Sequence, residues 1–305
     1  MAYTADSVPD LSGKTTVITG ANGGLGLETA KVLAAKGAHV VMAVRNQEKA
    51  SLAVEQITVA TPQASLELVE LDLASQASVR RAAEAITATH DSIDILVNNA
   101  GLMAMPERQT EDGFEMQLGV NHLGHWTFTA LLMPVILAAA SPRVVTVTSM
   151  AHYLGRPIDP ANPHMRGSYD PWRAYGNSKL ANYHFGLGLQ RELERARVRA
   201  SSLIAHPGLS HSDLQVRTVE EGGGGRTGPF WAAMAKYTGM EVDRGALSQI
   251  RAATDPQAKG GEFYGPLFMS FGRPVRVPLL RRGVDDAIST LWEVSEQETG
   301  VPLKI

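Results

Sequence analysis

The stretch Thr19-Gly20-Ala21-Asn22-Gly23-Gly24-Leu25-Gly26 decides the fold, because it joins a short β-branched run to a segment with the apolar period of a helix. A strand that ends in a glycine-rich turn and continues as a helix is an arrangement that binds phosphate. Gly20 allows the tight turn, Gly24 lets backbone approach a pyrophosphate, and Gly26 lets the helix pack close to the sheet. The stretch therefore predicts a dinucleotide site at the start of the first helix.

The first two thirds of the chain alternate β-branched runs with amphipathic stretches, a pattern typical of α/β proteins. We expect a Rossmann-type, doubly wound parallel sheet of about seven strands with helices on both faces, in a single domain over residues 1–305. The predicted strands are Thr15–Thr19, His39–Val44, Ser65–Leu71, Ile93–Asn98, Arg143–Thr148, Arg199–Ala205 and a last one over Gly260–Phe271. The predicted helices are Leu25–Lys36, Glu48–Ala60, Ala77–Thr89, Phe114–Ala140, Ala174–Arg195 and Asp285–Gln297.

Two segments interrupt the alternation, at 151–173 and 209–244. Both lie just past strand ends, where open α/β sheets bind their ligands, so we interpret them as substrate-loop insertions. The second contains Gly222–Gly225, and consecutive glycines lose much backbone entropy when they become ordered. This run predicts either a flexible lid or a disordered surface loop.

Composition excludes several classes of function. The formal net charge is −3 and there is no block of Lys or Arg, so neither nucleic acid nor an anionic membrane is expected as a partner. The chain contains no cysteine, which excludes thiolate chemistry and favours a cytoplasmic location. Residues 1–11 have neither a basic nor an apolar signal region, and we expect no membrane anchor.

Tyr175 and Lys179 are four residues apart in a stretch of helical period, so both side chains project from one helix face. An ammonium group beside a phenol stabilises the phenolate and brings the phenol closer to the pH range in which it can transfer a proton. Ser149 lies at the end of the fifth predicted strand, where its hydroxyl can hydrogen-bond a substrate oxygen. Thr148 is the neighbouring alternative, because alternating side chains allow only one of the two to face the cleft.

The glycine spacing resembles that of the short-chain dehydrogenase/reductase family. Further motifs match this family in the same order: Asp72-Leu73, Asn98-Asn99-Ala100-Gly101, Asn121, Ser149, Tyr175-x-x-x-Lys179 and Pro207-Gly208. A narrower resemblance, to the retinol-dehydrogenase-like branch, rests on Arg45-Asn46, residues 120–125, Ala151-His152 and His206-Pro207-Gly208. The resemblance implies an oxidoreductase that transfers hydride between a nicotinamide cofactor and a carbonyl or alcohol.

The resemblance also implies a role for each matching residue. Tyr175 would pass the proton, Ser149 would orient the substrate oxygen, and Asn121 would hold a water that links Lys179 to solvent. The cofactor would contact Gly20, Asn22, Gly24, Leu25, Gly26, Arg45, Asp72, Leu73, Asn98, Ala100, Gly101, Tyr175, Lys179, Pro207, Gly208 and Ser212.

The end of the second strand selects between the two nicotinamide cofactors. In NAD-binding folds a carboxylate, about 20 residues after the glycine turn, accepts hydrogen bonds from the adenine ribose. Here the sequence reads Ala43-Val44-Arg45-Asn46, which has no carboxylate to repel a 2′-phosphate and has a guanidinium that can pair with one. NADP(H) is therefore favoured over NAD(H), the alternative being that Arg45 is a solvated loop charge.

Four histidines are candidate metal ligands, but no metal site is expected. Neither the pair His122 and His125 nor the pair His206 and His211 has a carboxylate at ligand spacing. Apolar side chains near the insertions favour a small apolar carbonyl or alcohol as the substrate, although a core role would explain several of them equally well. These side chains are Met103, Met105, Tyr153, Phe230 and Trp231.

Two other functions are compatible with the same fold. One is a non-catalytic NADP(H)-binding regulatory protein that uses the loop insertions for a protein partner, and the other is an isomerase or dehydratase. The complete set of matching catalytic residues disfavours the first, and the glycine spacing disfavours the second. The resemblance also implies a homo-oligomer, although the insertion before Tyr175 could block such an interface.

Overall fold

The computed structural model describes residues 3–209, 218, 222–223, 239–279 and 283–305. The strands are β1 Thr15–Thr19, β2 His39–Val44, β3 Ser65–Glu70, β4 Ile95–Asn98, β5 Arg143–Val147, β6 Ser201–Ala205, β7 Phe263–Pro266 and β8 Pro274–Val277. They form one sheet in the order β3-β2-β1-β4-β5-β6-β7-β8. Every neighbouring pair is parallel except β7 and β8, which are antiparallel. The predicted doubly wound α/β fold is confirmed, with one more strand than expected.

Helices cover both faces of the sheet. They are α1 Gly24–Ala35, α2 Gln47–Ala60, α3 Gln76–Thr89, α4 Met116–Leu118, α5 Gly124–Ala138, α6 Pro171–Arg195, α7 Val242–Thr254 and α8 Val284–Thr299. One apolar cluster joins the sheet to α1, α2 and α7, and a second joins it to α3, α5, α6 and α8. Within the described residues, none of the helices combines the length and the hydropathy that crossing a membrane requires.

The strand order places a crevice at the carboxyl edge of the sheet. Strand β1 lies between β2 and β4, and the helix that follows β1 packs on the opposite face from the helix that follows β4. The loops that leave the two strands therefore diverge, and the gap between them is where open α/β sheets bind ligands.

The predicted helix over 114–140 is interrupted. A π-helical segment over Gly119–Leu123 separates α4 from α5. The helix begins with a cap, because the buried carboxylate of Glu115 accepts the N–H groups of Gln117 and Leu118 at 2.8 and 2.7 Å. The π segment displaces one turn of the helix, and that turn contains Asn121.

The predicted last strand over 260–271 is wrong in its second half. Strand β7 ends at Pro266, and the chain turns back through Gly272, whose φ of +112° is open only to glycine without strain. Leu267 N–H donates to the Arg273 carbonyl at 3.0 Å and closes this turn before β8 begins at Pro274. Helix α7 is not predicted from the sequence, and it begins inside the predicted insertion at 209–244.

Candidate active site

A cleft of about 460 Å³ lies beyond the carboxyl ends of the central strands. The structure brings together there most of the residues predicted from separate motifs along the chain. Those that line the cleft are Gly20, Asn22, Gly24, Leu25, Arg45, Asp72, Leu73, Ala100, Gly101, Ser149, Tyr175, Lys179, Pro207 and Gly208.

Three of the predicted residues that the structure describes do not line the cleft. Asn98 is fully buried beneath it and donates a hydrogen bond to the Thr129 hydroxyl at 2.9 Å. Gly26 lies under the glycine turn and Asn121 lies behind Gly101, so both would act through their neighbours. Ser212 falls outside the described residues, as do most of the residues between 209 and 239.

The glycine turn has no room for larger residues. Gly20 has a φ of +69°, and a Cβ there would lie 3.0 Å from the Cβ of Ala100. A Cβ on Gly26 would collide with the Gly20 carbonyl and lie 2.6 Å from Asn99 Nδ2. The first turn of α1 therefore lies directly against the loop after β4, and backbone lines the cleft where a pyrophosphate would bind.

The hydroxyl of Thr19 joins this turn to the next loop. Its Oγ1 accepts the N–H groups of Asn99 and Ala100, both at 2.9 Å, and lies 2.9 Å from His125 Nε2. Asn99 returns a second bond, from its Nδ2 to the Thr19 carbonyl at 2.8 Å. Sequence reasoning included Thr19 and Asn99 in motifs but gave them no role, although a hydroxyl just before the first glycine was a usable signal.

Tyr175 and Ser149 lie side by side in the cleft, on two different elements. Tyr175 lies in the second turn of α6, and its side chain is close enough to that of Ser149, which follows β5, for the serine hydroxyl to lower the phenol pKa. The Thr148 hydroxyl points elsewhere, donating to the Lys179 carbonyl at 2.6 Å. Of the two candidates, Ser149 is therefore the one that contacts the phenol.

Burial dominates the ionisation of the proton-transfer pair. It raises the pKa of Tyr175 to about 12, against a smaller lowering by the hydrogen bond to Ser149. It also lowers the pKa of Lys179 to about 8, because the ammonium is removed from water. The lowering of the phenol pKa expected from Lys179 is not found, since its Nζ lies 6.0 Å from the ring centroid and burial prevails. Near neutral pH the phenol keeps its proton and the lysine is mostly charged.

Asn121 fixes the loop behind Lys179. Its Oδ1 accepts the Leu102 N–H at 2.7 Å, and its Nδ2 donates to the Leu102 carbonyl at 3.0 Å and to Ser178 at 2.8 Å. A Cβ on Gly101 would lie 2.9 Å from Asn121 Oδ1 and 3.1 Å from Lys179 Nζ. The loop after β4, the π-helical turn and α6 therefore meet at this point.

His125 links the two halves of the site, a role that sequence reasoning missed. Its Nδ1 lies 3.0 Å from the Asn121 carbonyl and its Nε2 lies 2.9 Å from Thr19 Oγ1. Burial lowers the pKa of His125 to about 4, so the ring is neutral. A carbonyl only accepts, so Nδ1 bears the proton and Nε2 accepts from Thr19. The ring thus forms a hydrogen-bonded bridge from the glycine turn to the catalytic loop.

The adenine end of the cleft is more open than the catalytic end. The Arg45 side chain is 64% exposed, and its guanidinium lies 3.9 Å from the Asp72 carboxylate. Asp72 is itself held by accepting the Ala74 N–H at 2.9 Å. Arg45 is therefore free to turn toward an anionic group at the rim, because an ion pair this exposed contributes little energy.

The insertion at 151–173 is fastened to the protein. Tyr169 donates to the Met105 carbonyl at 2.8 Å and accepts from Gln117 at 3.0 Å. His164 accepts the Glu115 N–H at 3.1 Å and lies 3.0 Å from a carboxylate oxygen of Glu298. This insertion is a fixed wall rather than a loose loop, and Ala151 and Leu154 from it line the cleft.

The apolar residues named from sequence have different locations. Met103 lines the cleft, whereas Met105 is buried beside it and Tyr153 is partly exposed without lining it. Phe230, Trp231 and two of the glycines in Gly222–Gly225 fall outside the described residues. Further apolar side chains on the cleft wall include Leu102, Val120, Met150, Leu154 and Leu209.

A doubly wound sheet, a glycine turn against its switch point and a Tyr–Lys pair at its carboxyl edge define a class of dinucleotide-binding oxidoreductases. A family model described as short chain dehydrogenase matches residues 14–222. The chain belongs to this family, and the resemblance inferred from the motifs is confirmed.

Particular relatives support the narrower resemblance. The chain is 42% identical to human retinol dehydrogenase 11 over 208 residues, which cover 68% of this chain and 64% of that protein. It is 38% identical to retinol dehydrogenase 13 of Mus musculus over 297 residues, covering 96% of this chain and 86% of that protein. A crystal structure of an uncharacterized protein from Mycobacterium paratuberculosis superimposes with a TM-score of 0.81 and 40% identity, covering both chains fully. The match to human retinol dehydrogenase 11 covers less than two thirds of that protein's length.

Gly26→Ala tests the close approach beneath the turn. The added Cβ must displace the Gly20 carbonyl or Asn99, so we expect the Kd for NADPH to rise about tenfold or more. Gly13→Ala is the matched control, because Gly13 has a φ of +76° and no heavy atom within 4 Å of a built Cβ. Fluorescence titration with NADPH measures the Kd of both variants. The control should lower the melting temperature and leave the Kd unchanged; equal Kd values for Gly26→Ala and wild type would contradict the prediction.

His125→Leu and His125→Gln together test the bridge. Leucine removes both hydrogen bonds, so we expect kcat to fall roughly 10- to 100-fold through misplacement of Asn121 and the turn. Glutamine has a donor and an acceptor and should recover most of the loss. Steady-state kinetics at saturating NADPH separate this positioning role from a packing role. If both variants lose kcat equally while their melting temperatures match, the hydrogen-bonded bridge is not what matters.

Proposed function

We propose that this chain is an NADP(H)-dependent oxidoreductase that interconverts a carbonyl and an alcohol on a mostly apolar substrate. The observation that supports this most directly is that Tyr175 and Ser149 lie beside each other at the inner end of the cleft, with Lys179 one helical turn from Tyr175. When bound, the nicotinamide supplies hydride to the carbonyl carbon or accepts it from the alcohol.

The chain's own residues handle the oxygen and its proton. Ser149 and Tyr175 both offer hydroxyl donors to a substrate oxygen, which aligns the carbonyl and polarises it. Tyr175, protonated at neutral pH, donates its proton to the developing alkoxide. Lys179, mostly charged below pH of about 8, restores that proton, and Asn121 holds the loop that faces the Lys179 ammonium. In the oxidation direction the same groups act in reverse.

The residues that line the cleft suit the different parts of NADP(H). Gly20, Gly24 and the N-terminus of α1 would hold the pyrophosphate, because they line the cleft and the first turn of the helix offers N–H groups to a phosphate. Asp72 and Leu73 would flank the adenine, and Pro207 and Gly208 would lie near the nicotinamide. We propose NADP(H) over NAD(H) because Arg45 at the rim can pair with a 2′-phosphate and no carboxylate ends β2.

The wall of the cleft near Tyr175 supports an apolar substrate. Met103, Met150 and Leu154 line it with apolar side chains, and the fastened insertion at 151–173 limits its width. Burying an apolar substrate against such a wall is favourable in proportion to the area removed from water.

We propose the cytoplasm as the compartment of this protein, because the sequence contains no cysteine.

Tyr175→Phe tests the proton donor. Removing the phenol oxygen should lower NADPH-dependent carbonyl reduction by about 10²- to 10⁴-fold and leave the Kd for NADPH nearly unchanged. The assay is NADPH consumption across aliphatic, aromatic, steroid and retinoid carbonyls. Tyr183→Phe is the matched control, since this buried tyrosine lies two turns along α6 and does not line the cleft. Undiminished activity in the Tyr175→Phe variant would remove the mechanism, and NADPH binding without turnover in the wild type would favour the regulatory alternative.

Arg45→Asp tests the choice of cofactor. Loss of a charge-assisted pair should raise the Kd for NADPH roughly 10- to 100-fold. The Kd for NADH should fall, because the new carboxylate can accept hydrogen bonds from the ribose hydroxyls. Arg81→Asp changes the charge equally at an exposed position on α3 and should affect neither Kd. An unchanged ratio of the two Kd values in the Arg45 variant would mean that another residue selects the cofactor.

The pH dependence of reduction tests Lys179. Its ammonium is present below the pKa of about 8 and is lost as the pH rises through that value, so kcat for reduction should fall above pH of about 8. The guanidinium in Lys179→Arg stays charged to much higher pH. The kcat of any residual activity should therefore not fall as the pH rises above about 8. A wild-type kcat that stays level from neutral pH to well above the pKa of Lys179 would be inconsistent with proton supply through this ammonium.

A further inference from the structure

Three side chains with metal-binding atoms meet at the opposite end of the sheet from the cleft. His39 is the first residue of β2, Glu67 lies in β3 opposite Val41, and His90 directly follows α3. His90 Nε2 lies 2.9 Å from Glu67 Oε2, and His39 Nε2 lies 3.4 Å from the same oxygen. Within the described part of the chain, this is the one group of three such residues whose ligand atoms all lie within 4.8 Å of one another.

These separations suit a small tetrahedral ion. Zn²⁺ bonds of about 2.0–2.2 Å to imidazole nitrogen and carboxylate oxygen put neighbouring ligand atoms about 3.3 Å apart. The two distances to Glu67 lie on either side of that value. Two imidazoles and one carboxylate are also a donor set that zinc accepts, with a fourth position left for water.

Ser65 orients one of the imidazole ligands. Its hydroxyl lies 2.7 Å from His39 Nδ1, on the side of the ring away from Glu67. A serine hydroxyl can donate or accept, so it can hydrogen-bond Nδ1 in either tautomer of His39. It donates to Nδ1 when Nε2 carries the proton, and it accepts from Nδ1 when Nε2 has a free lone pair for a metal. Hydrogen bonding of the second ring nitrogen is a regular feature of metal-binding histidines.

We propose that His39, Glu67 and His90 form a binding site for a divalent transition metal, with Zn²⁺ as the test ion. Imidazole ligands favour Zn²⁺, Ni²⁺ and Cu²⁺ over Mg²⁺ and Ca²⁺, which prefer oxygen. The bound ion takes the place of the hydrogen bonds between the imidazole rings and the carboxylate, and it joins the end of α3 to β2 and β3. Five residues along β2, roughly 17 Å, separate this site from cleft-lining Val44.

The site is accessible and its ligands come from rigid elements. The exposed fractions of the side chains are 29% for His39, 31% for Glu67 and 13% for His90, so an ion can enter from solvent. Strand pairing fixes the spacing of His39 and Glu67, because His39 pairs with Ser65 and Val41 with Glu67 in the same register. The rings of His39 and His90 already lie 5.3 Å apart.

The experiment measures Zn²⁺ binding to the full chain without a histidine tag. Calorimetry and competition with a chromophoric chelator each give the stoichiometry and the affinity. The wild type should bind one Zn²⁺ per chain at this site and melt at a higher temperature when Zn²⁺ is present. His90→Gln and Glu67→Gln should each abolish this binding, and Ser65→Ala should weaken it roughly 10- to 100-fold. Co²⁺ bound in place of Zn²⁺ should give the visible absorption of a tetrahedral site.

His164→Gln is the matched control, because His164 also lies 3.0 Å from a glutamate oxygen but belongs to no group of three ligands among the described residues. This control should bind Zn²⁺ as the wild type does. Stoichiometric binding that survives in both His90→Gln and Glu67→Gln would overturn the assignment, as would a wild type that does not bind Zn²⁺. Circular dichroism and NADPH binding, which does not involve this site, verify that each variant is folded; His39→Gln replaces any variant that is not.

Discussion

The Thr19 hydroxyl is the contact on which the geometry of the cleft depends. It accepts two backbone N–H groups from the loop after β4 and bonds to His125 in α5. Removing it would leave those part-buried N–H groups without their protein acceptor, which costs at most about 1–3 kcal/mol for each group where water cannot replace it. The Thr19 side chain therefore contacts the glycine turn, the loop after β4 and α5, and the bonds of Asn99 and Asn121 add to the same connection. Gly20 and Gly26 complete this arrangement by allowing backbone to approach backbone.

Burial gives the two ends of the cleft different electrostatic character. At the inner end, removal from water keeps Tyr175 protonated and makes the Lys179 ammonium easier to deprotonate. At the outer end, Arg45 and Asp72 remain partly in solvent, where their attraction is weak. Buried side chains are thus concentrated around Tyr175 and Lys179, while the Arg45 side chain at the rim is exposed. The fastened insertion at 151–173 extends the rigid part to the substrate wall.

Sequence patterns predicted the fold and most of the cleft because their signals are local. The glycine turn, the alternation of strands and helices, and the Tyr175–Lys179 spacing each report on neighbours in the chain. The π-helical turn at Asn121, the role of His125 and the group around Glu67 depend on residues far apart in sequence, so spacing could not reveal them. For the same reason the motif at 98–101 did not distinguish buried Asn98 from Asn99, and the pKa of Tyr175 could not be foreseen without its burial.

Strand β8 gives the sheet a poor edge for recruiting another chain. Its first residue is Pro274, which has no N–H to offer, and Arg276 keeps a 70%-exposed charge paired with Glu262. At the other edge of the described sheet, β3 presents Glu67 and exposed Glu70. Charged side chains at both edges, together with the missing donor at Pro274, disfavour strand-to-strand aggregation. Two copies of this chain would therefore meet more favourably through their helices than by extending one sheet into the next.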